Sequence, residues 1–457
     1  MANHVLPSPP RSVLADFLSA EKAKYLEDVQ NKTEDWTVVM GNESGDLDSI
    51  ASSIAFAYYQ SVIQHKPTIP FIQIARDDLS LRGENIYALE LAGITETVAK
   101  EKLFLLSDIS STKSFSSHKF ALVDHNRLGL AYASGDAQVV AIVDHHADEG
   151  LYTDPATTNP RIITPTGSCS SLITISLFVP SLTRSGTSNT TSESEPLPIE
   201  LSTLLLSAIL IDTDGLKPGG KAVDADREAA AFLASSANLW GNSPSSSLSP
   251  SSLHDAEPIQ TLTRILTERK LDLSHLSAYD LLRRDYKEYI YDVPWASSSS
   301  NNSAQLQLKA GLSTVPLALS SWATGAETGR LSELERQGGA ADRWMRERGL
   351  NILGVLTSYR RVAKKQKEIE KGKGKHEREM AWIIRTESPE INWNLVEEKL
   401  WAGLRASEEL EVKEHKEFPD TASERGANLR FKVFMQNPQA TRKVTAPVLK
   451  GIMEGKT

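Results

Sequence analysis

The stretch that most constrains this chain is Gln138–His146, read Q-V-V-A-I-V-D-H-H. Val139 to Val143 run without a polar break, and a short, β-branched apolar run of this kind fits a strand buried on both faces of a parallel sheet. The run then ends abruptly in Asp144-His145-His146. Three ionisable groups at the tip of a buried strand are costly unless they face a cleft, a metal or a ligand. In open α/β sheets, ligands bind just past the carboxyl ends of the strands.

Three other segments have the same character. Trp36–Met40 reads as a strand and runs into Gly41-Asn42-Glu43-Ser44-Gly45-Asp46-Leu47-Asp48, followed by a helical pattern over Ser49–Gln60. Ala121–Val123 ends in Asp124-His125-Asn126, and the apolar run Leu204–Ile211 ends in Asp212. Each has a plain structural alternative. An Asp before an apolar helix is commonly an N-cap, Asp and Asn favour polar turns, and Asp212-Thr213-Asp214-Gly215 could close a helix on Gly215. An acid at a helix C-terminus is unfavourable, however, and two adjacent histidines after a buried strand have no evident structural purpose. Carboxylates gathered at one end of one sheet repel and protonate unless a cation neutralises them. Oxygen donors with one or two imidazoles and no thiolate suit hard divalent ions such as Mg²⁺ or Mn²⁺. Two such ions about 3.5–4 Å apart are a recurrent device for phosphoryl hydrolysis.

Strands alternating with helices through the first half predict an α/β fold with a doubly wound, mainly parallel sheet. Further strands are expected at Ile69–Ile74, Leu103–Leu106 and Arg161–Ile163, and helices at Glu84–Leu91, Gly167–Leu177 and Ile199–Ile211. A chain of 457 residues accommodates a first domain over 1–255, a helical linker over 256–273 and a smaller α/β domain over 274–457. The second has strand-like runs at Leu306–Leu312, Ile352–Ser358, Ala381–Arg385 and Arg430–Met435. Ser181–Glu195, Asn242–Ser252 and Ser297–Ser303 are low-complexity inserts of surface-loop composition, and Lys364–Arg378 is a basic run that reads as a solvated loop or frayed helix end.

Composition excludes several classes. The single cysteine, Cys169, rules out a disulfide framework and a multi-thiolate zinc site. A net charge of −9 argues against nucleic-acid or membrane binding driven by overall charge. No apolar run approaches the ~20 residues of a membrane span, and the stretch around Val13–Leu18 is a poor signal peptide. The expectation is a cytoplasmic, monomeric protein with no membrane or specific nucleic-acid partner.

Gly41-Asn42-x-x-x-Asp46-x-Asp48-Ser49, Asp124-His125-Asn126, Asp144-His145-His146 and Asp212-Thr213 together resemble the four motifs of the DHH phosphoesterase superfamily. Arg284-Asp285-Tyr286-Lys287 is similar to the lysine-bearing segment of the second-type DHH-associated domain, and Ala440-Thr441-Arg442-Lys443 to its Ser-Arg-Lys phosphate motif. Within the superfamily the chain most resembles the group of family II inorganic pyrophosphatases, prune-type phosphoesterases and fungal-type exopolyphosphatases. The resemblance implies metal ligation by Asp46, Asp48, Asp124, His145 and Asp212, with Asp124 as bridge. His146 would face the phosphate, His125 and Asn126 would support the substrate site, and Lys287, Arg442 and Lys443 would bind distal phosphates from across an interdomain cleft. It also implies two divalent ions, Mn²⁺ or Mg²⁺, with Co²⁺ an acceptable substitute.

Family II pyrophosphatases carry a histidine ligand where this chain has Asn42, an amide suited to holding the attacking water. With Leu47 to Ser52, that residue aligns the chain with the exopolyphosphatase branch. The expected activity is release of terminal orthophosphate from inorganic polyphosphate, with Asp124, His146 and Asn42 as catalytic residues. Arg360, Arg361, Lys364 and Lys365 could extend the track for a polyanion. The rivals are a pyrophosphatase, a prune-like hydrolase of short polyphosphates or nucleotides, and a polyanion-binding protein without turnover.

Overall fold

The computed structural model describes residues 12–31, 35–109, 115, 117–133, 135–179, 197–237, 249–298, 306–321, 332–361, 375–416, 418 and 428–455. The insert Ser181–Glu195 lies outside them, as do most of Asn242–Ser252, all but the start of Ser297–Ser303, and Lys364 and Lys365. The chain forms two compact units, Met1–Asp272 and Leu273–Thr457.

The first unit is built on six strands: β1 Thr37–Met40, β2 Thr68–Ile72, β3 Phe104–Leu105, β4 Lys119–Val123, β5 Gln138–Asp144 and β6 Arg161–Ile163. Their spatial order is β3-β2-β1-β4-β5-β6, and every neighbouring pair is parallel. The order reverses between β1 and β4, which makes the crevice beyond their carboxyl ends the place where a doubly wound sheet holds ligands.

Alternation along the strands assigns each face. Val39, Ala121, Val123, Ala141 and Val143 face one core, shared with helices α2 (Leu47–Tyr58), α3 (Gly83–Leu91), α4 (Glu96–Lys102), α5 (Cys169–Ile173), α6 (Ile199–Asp212), α7 (Asp224–Ala234) and α8 (Glu257–Leu271). Val38, Met40, Phe120, Leu122, Val139 and Ile142 face the other, closed by Tyr25 of α1 (Val13–Asn31). Each fully buried aliphatic or aromatic side chain contributes about 1.5–3 kcal/mol relative to exposure. The alanines on the first face let α2 come close to the sheet. At Gly41 the approach is so tight that a Cβ would lie 2.5 Å from Ser49 Cβ. The 256–273 stretch, read from sequence as a linker, is α8, and its Ile259, Leu262 and Leu266 are buried in the first unit's core.

The second unit carries a mixed sheet of β7 Tyr286–Asp292, β8 Gln307–Val315, β9 Ile352–Thr357, β10 Tyr359–Arg361, β11 Lys375–Arg385, β12 Lys413–Glu414 and β13 Leu429–Gln436. The order is β12-β13-β11-β9-β8-β7, with β10 paired to β11; β8 and β9 are parallel and the other pairs antiparallel. Its helices longer than one turn are α9 (Ala278–Arg284), α10 (Ala340–Arg348), α11 (Trp393–Ala406) and α12 (Arg442–Glu454). One face of the sheet packs Leu312, Leu356, Met380, Trp382 and Phe434 under α11 and α12. The basic run ends differently from its sequence reading: Lys375–Arg378 is neither loop nor frayed helix but the start of β11, paired with β10. Charged residues alternating between two faces hid that strand. Among the described residues, no helix is long and apolar enough to cross a membrane.

Candidate metal centre

The carboxyl ends of β1, β4 and β5 bring the motif residues together at the β1/β4 switch point. Asp124, the first residue after β4, has a left-handed backbone (φ +60°) that Asp tolerates better than most residues. Its N–H donates to the Val143 carbonyl at 3.0 Å. That turn directs a buried carboxylate into the crevice, where Oδ2 accepts from Asn42 Nδ2 and Ser49 Oγ, both at 2.7 Å. Oδ1 lies 3.2 Å from His145 Nε2 and 3.6 Å from His146 Nδ1. Burial, then the charge of Asp46, raises the Asp124 carboxyl to about 6 despite the opposing hydrogen bond from His145.

His145 is held from behind. Its Nδ1 donates to the Thr166 carbonyl at 3.0 Å, leaving Nε2 toward Asp124 and, at 4.0 Å, Asp48 Oδ2. Burial disfavours its charge, but the hydrogen bond to Asp124 and the charge of Asp48 prevail and lift the imidazole to about 10. Fixing one ring nitrogen on a carbonyl so that the other faces the ion is the usual arrangement of a metal-ligating histidine.

Asp144, fully buried, orients the second histidine. Its Oδ1 accepts from His146 Nδ1 at 2.8 Å and from the backbone N–H groups of His145 and His146. Burial works against its charge, but these bonds, the His146 charge and the Asn126 amide hold the carboxyl near 2. Asn126 is 3% exposed, and its amide is engaged by Asp144 and the backbone at Ala147 and Glu149. It therefore positions Asp144. His125 places Nδ1 on the Val123 carbonyl.

Asp46 is both an N-cap and a site carboxylate. Oδ1 accepts from Ser49 N at 3.1 Å, capping α2, and Oδ2 accepts from Ser44 Oγ. Asn42 accepts from Ser44 N and Oγ and donates to Asp124, so its amide is committed to holding that carboxylate. Asp212 closes α6, and burial together with Asp48, Asp46 and Asp124 pushes its carboxyl well above the ordinary range, against the pull of Lys270.

Sequence reasoning missed the segment that holds Asp48. Oδ1 of this buried carboxylate accepts from Ser168 Oγ at 2.8 Å, Ser170 N at 2.8 Å and Ser170 Oγ at 2.6 Å, while Oδ2 accepts from Cys169 N at 2.7 Å. The first turn of α5 thus saturates Oδ1 and leaves Oδ2 the oxygen toward His145. Gly167, just before this turn, packs against Thr213 so closely that a Cβ there would lie 2.5 Å from Thr213 Cγ2. Ser170→Ala should keep the fold and lower metal affinity about 10–100-fold, the usual cost of losing a hydrogen bond to a ligand; a calorimetric metal titration measures it.

The donor set fits divalent ions. Burial, together with the charges of Asp46 and Asp48, raises the proton affinity of Asp124 and Asp212, and Asp124, His145 and His146 offer atoms within 4.8 Å of one another that could hold an ion. Cys169 takes no part, because its Sγ donates to the Val143 carbonyl. In the second unit, Lys287 lies on β7 and Arg442 bonds the Asp285 carbonyl and its Oδ1, at 3.1 and 2.8 Å. Lys443 is in the first turn of α12, whose N-cap is Thr441.

A doubly wound sheet with carboxylates and paired histidines at its switch point is an α/β fold with a group of side chains that could hold a metal ion. Residues 36–209 match the DHH family, N-terminal domain, and residues 264–452 match the DHHA2 domain. The chain belongs to the DHH phosphoesterase superfamily. It is 36% identical over 264 residues to a putative exopolyphosphatase of Schizosaccharomyces pombe, covering 56% of this chain and 61% of that protein. It is 30% identical over 157 residues to exopolyphosphatase PRUNE1 of Mus musculus, a third of each chain, and 28% identical over 141 residues to the Homo sapiens protein, 30% of each. The chain thus spans less than two thirds of the length of these relatives.

Proposed function

We propose that this protein is a metal-dependent exopolyphosphatase that releases terminal orthophosphate from inorganic polyphosphate. The observation that carries the reading is the cluster of Asp124, His145 and His146, with Asp48 Oδ2 4.0 Å from His145, at one crevice of the first unit, in a family of phosphoesterases. Asn42, bound to Asp124 rather than offered as an imidazole ligand, and the 36% identity to a putative exopolyphosphatase favour polyphosphate over pyrophosphate.

Asp46, Asp48, Asp124, His145 and Asp212 would hold two divalent ions, Mn²⁺ or Mg²⁺. When bound, these supply an activated water and charge stabilisation at the phosphate oxygens. Asn42 and Ser49 hold the Asp124 carboxylate, and the α5 turn holds Asp48, so the ligands are in place before the substrate arrives. Asp144 takes the Nδ1–H of His146, so that the imidazolium form, which carries a second proton on Nε2, would be the one that steadies or protonates the leaving oxygen. In the second unit, Lys287, Arg442 and Lys443 are of the residue types that suit phosphate, a lysine as a point charge and an arginine as a fork. Phosphate release from pyrophosphate, tripolyphosphate and long-chain polyphosphate, each with Mn²⁺, Mg²⁺ and Co²⁺, tests the reading. Long-chain polyphosphate should be turned over best, and a preference for pyrophosphate would overturn the assignment.

A further inference from the structure

One buried carboxylate of the first unit lies outside the proposed chemistry. Asp226, in the first turn of α7, is 0% exposed, and both of its oxygens are engaged. Oδ2 accepts from Val223 N at 2.8 Å and so caps α7. A cap asks for that bond alone. Asp226 does more: Oδ2 also accepts from Gly167 N at 2.9 Å, and Oδ1 accepts from Ser171 Oγ at 2.6 Å.

Those two residues bracket Ser168, Cys169 and Ser170, whose four donors hold Asp48. Gly167 also adjoins Thr166, the residue whose carbonyl takes the Nδ1–H of His145 at 3.0 Å. Thr166 Oγ1 donates to the Ser168 carbonyl at 2.9 Å, which ties the two parts of the segment together. Gly167 sits hard against the carboxylate, since a Cβ there would lie 2.8 Å from Asp226 Oδ2. His145 follows β5 and Asp48 lies in the first turn of α2, so nothing local relates one to the other. Residues 166–171 are their common support, and Asp226 grips that support at two points.

We propose that Asp226 is a positioning residue for the metal centre: it locks residues 166–171, and with them the 4.0 Å separation of His145 Nε2 and Asp48 Oδ2, before any ion binds. For the ion itself, the proposal rests on the metal-dependent reading of the site.

The test compares Asp226→Ala, Asp226→Asn and Ser171→Ala in the full chain. Leu89→Ala, a core truncation in α3, controls for lost stability. Each variant that is folded by circular dichroism is titrated with Mn²⁺ in a calorimeter. Asp226→Ala should weaken Mn²⁺ binding about tenfold or more, and Ser171→Ala, which removes one bond of the three, about threefold. Asp226→Asn should stay within about twofold of the parent, because its amide oxygen can accept from Gly167 and Val223 while its NH₂ donates to Ser171 Oγ. Leu89→Ala should bind as the parent does. Parental affinity in Asp226→Ala, or in Ser171→Ala where the former does not fold, would overturn the proposal, as would an equal loss in Leu89→Ala.

Cys169, the chain's one cysteine and fully buried, supplies a readout that needs no metal. Its labelling by a thiol reagent follows local opening of the segment. Asp226→Ala and Ser171→Ala should label several-fold faster than the parent in native buffer, with little dependence on denaturant, whereas global unfolding depends on it steeply. If the parent takes up no Mn²⁺, the metal reading fails and the labelling rates alone decide. Equal rates in the parent and both variants would then remove Asp226 from its positioning role.

Discussion

Asp124→Asn should lower phosphate release by about three orders of magnitude or more, the scale seen when one member of an interdependent catalytic set is removed, while leaving the protein folded. The substitution changes one atom, and asparagine tolerates the left-handed backbone at this position. Its amide oxygen can replace Oδ2 and accept from Asn42 and Ser49, and its NH₂ then points where Oδ1 met His145 Nε2, 3.2 Å away. The fold also loses a buried charge that Asp46 and Asp48 disfavour. The loss falls on the centre instead. A carboxylate that would hold the ions is gone, and the lone pair of a neutral His145 is occupied by the new N–H donor. Steady-state phosphate release, with circular dichroism to confirm folding, measures the effect. Turnover within tenfold of the parent would remove Asp124 from the mechanism and with it the two-metal reading.

How much of this was legible in the sequence follows from the range of the interactions. The strand Gln138–Asp144 announced itself because an unbroken apolar run needs only local context, and the parallel order followed from the alternation of strands with helices. The carboxylates Asp46, Asp48, Asp124 and Asp212 were legible as strand and helix ends that carry acids where acids cost energy. Ser168 and Ser170 were not legible. Serines opening a helix are common, and their purpose depends on Asp48, some 120 positions earlier in the chain. The commitment of Asn126 to Asp144 was likewise hidden, since a polar residue in a turn gives no sign of whether it faces solvent or a buried neighbour. In the second unit, Tyr286–Asp292 and Lys375–Arg378 escaped a strand reading because charged side chains interrupt both. In each case it is the pairing with β8, β10 or β13, set by distant sequence, that makes the strand.

The metal affinity itself should rise steeply with pH. In the metal-free protein His145 Nδ1 faces a carbonyl, which can only accept, and Nε2 faces Asp124, so the imidazole is doubly protonated and its pKa stands at about 10. Asp124, raised by burial and by Asp46, titrates at about 6. Between these values the pair carries one proton, on His145, and an ion that takes Nε2 must displace it. Each unit of pH above 6 then strengthens binding about tenfold, and below 6 a second proton on Asp124 steepens the dependence toward two decades per unit. From pH 6.5 to 8.5 the dissociation constant for Mn²⁺ should therefore fall about a hundredfold. Chelator competition across that range, with calorimetry in two buffers of different ionisation enthalpy to count the released proton, measures it. An affinity that stays flat across the window would place the ion away from His145 Nε2. A His145→Ala variant supplies the internal control: it should bind Mn²⁺ more weakly and with a slope about one decade per pH unit shallower, because the imidazole proton that competes with the ion is gone.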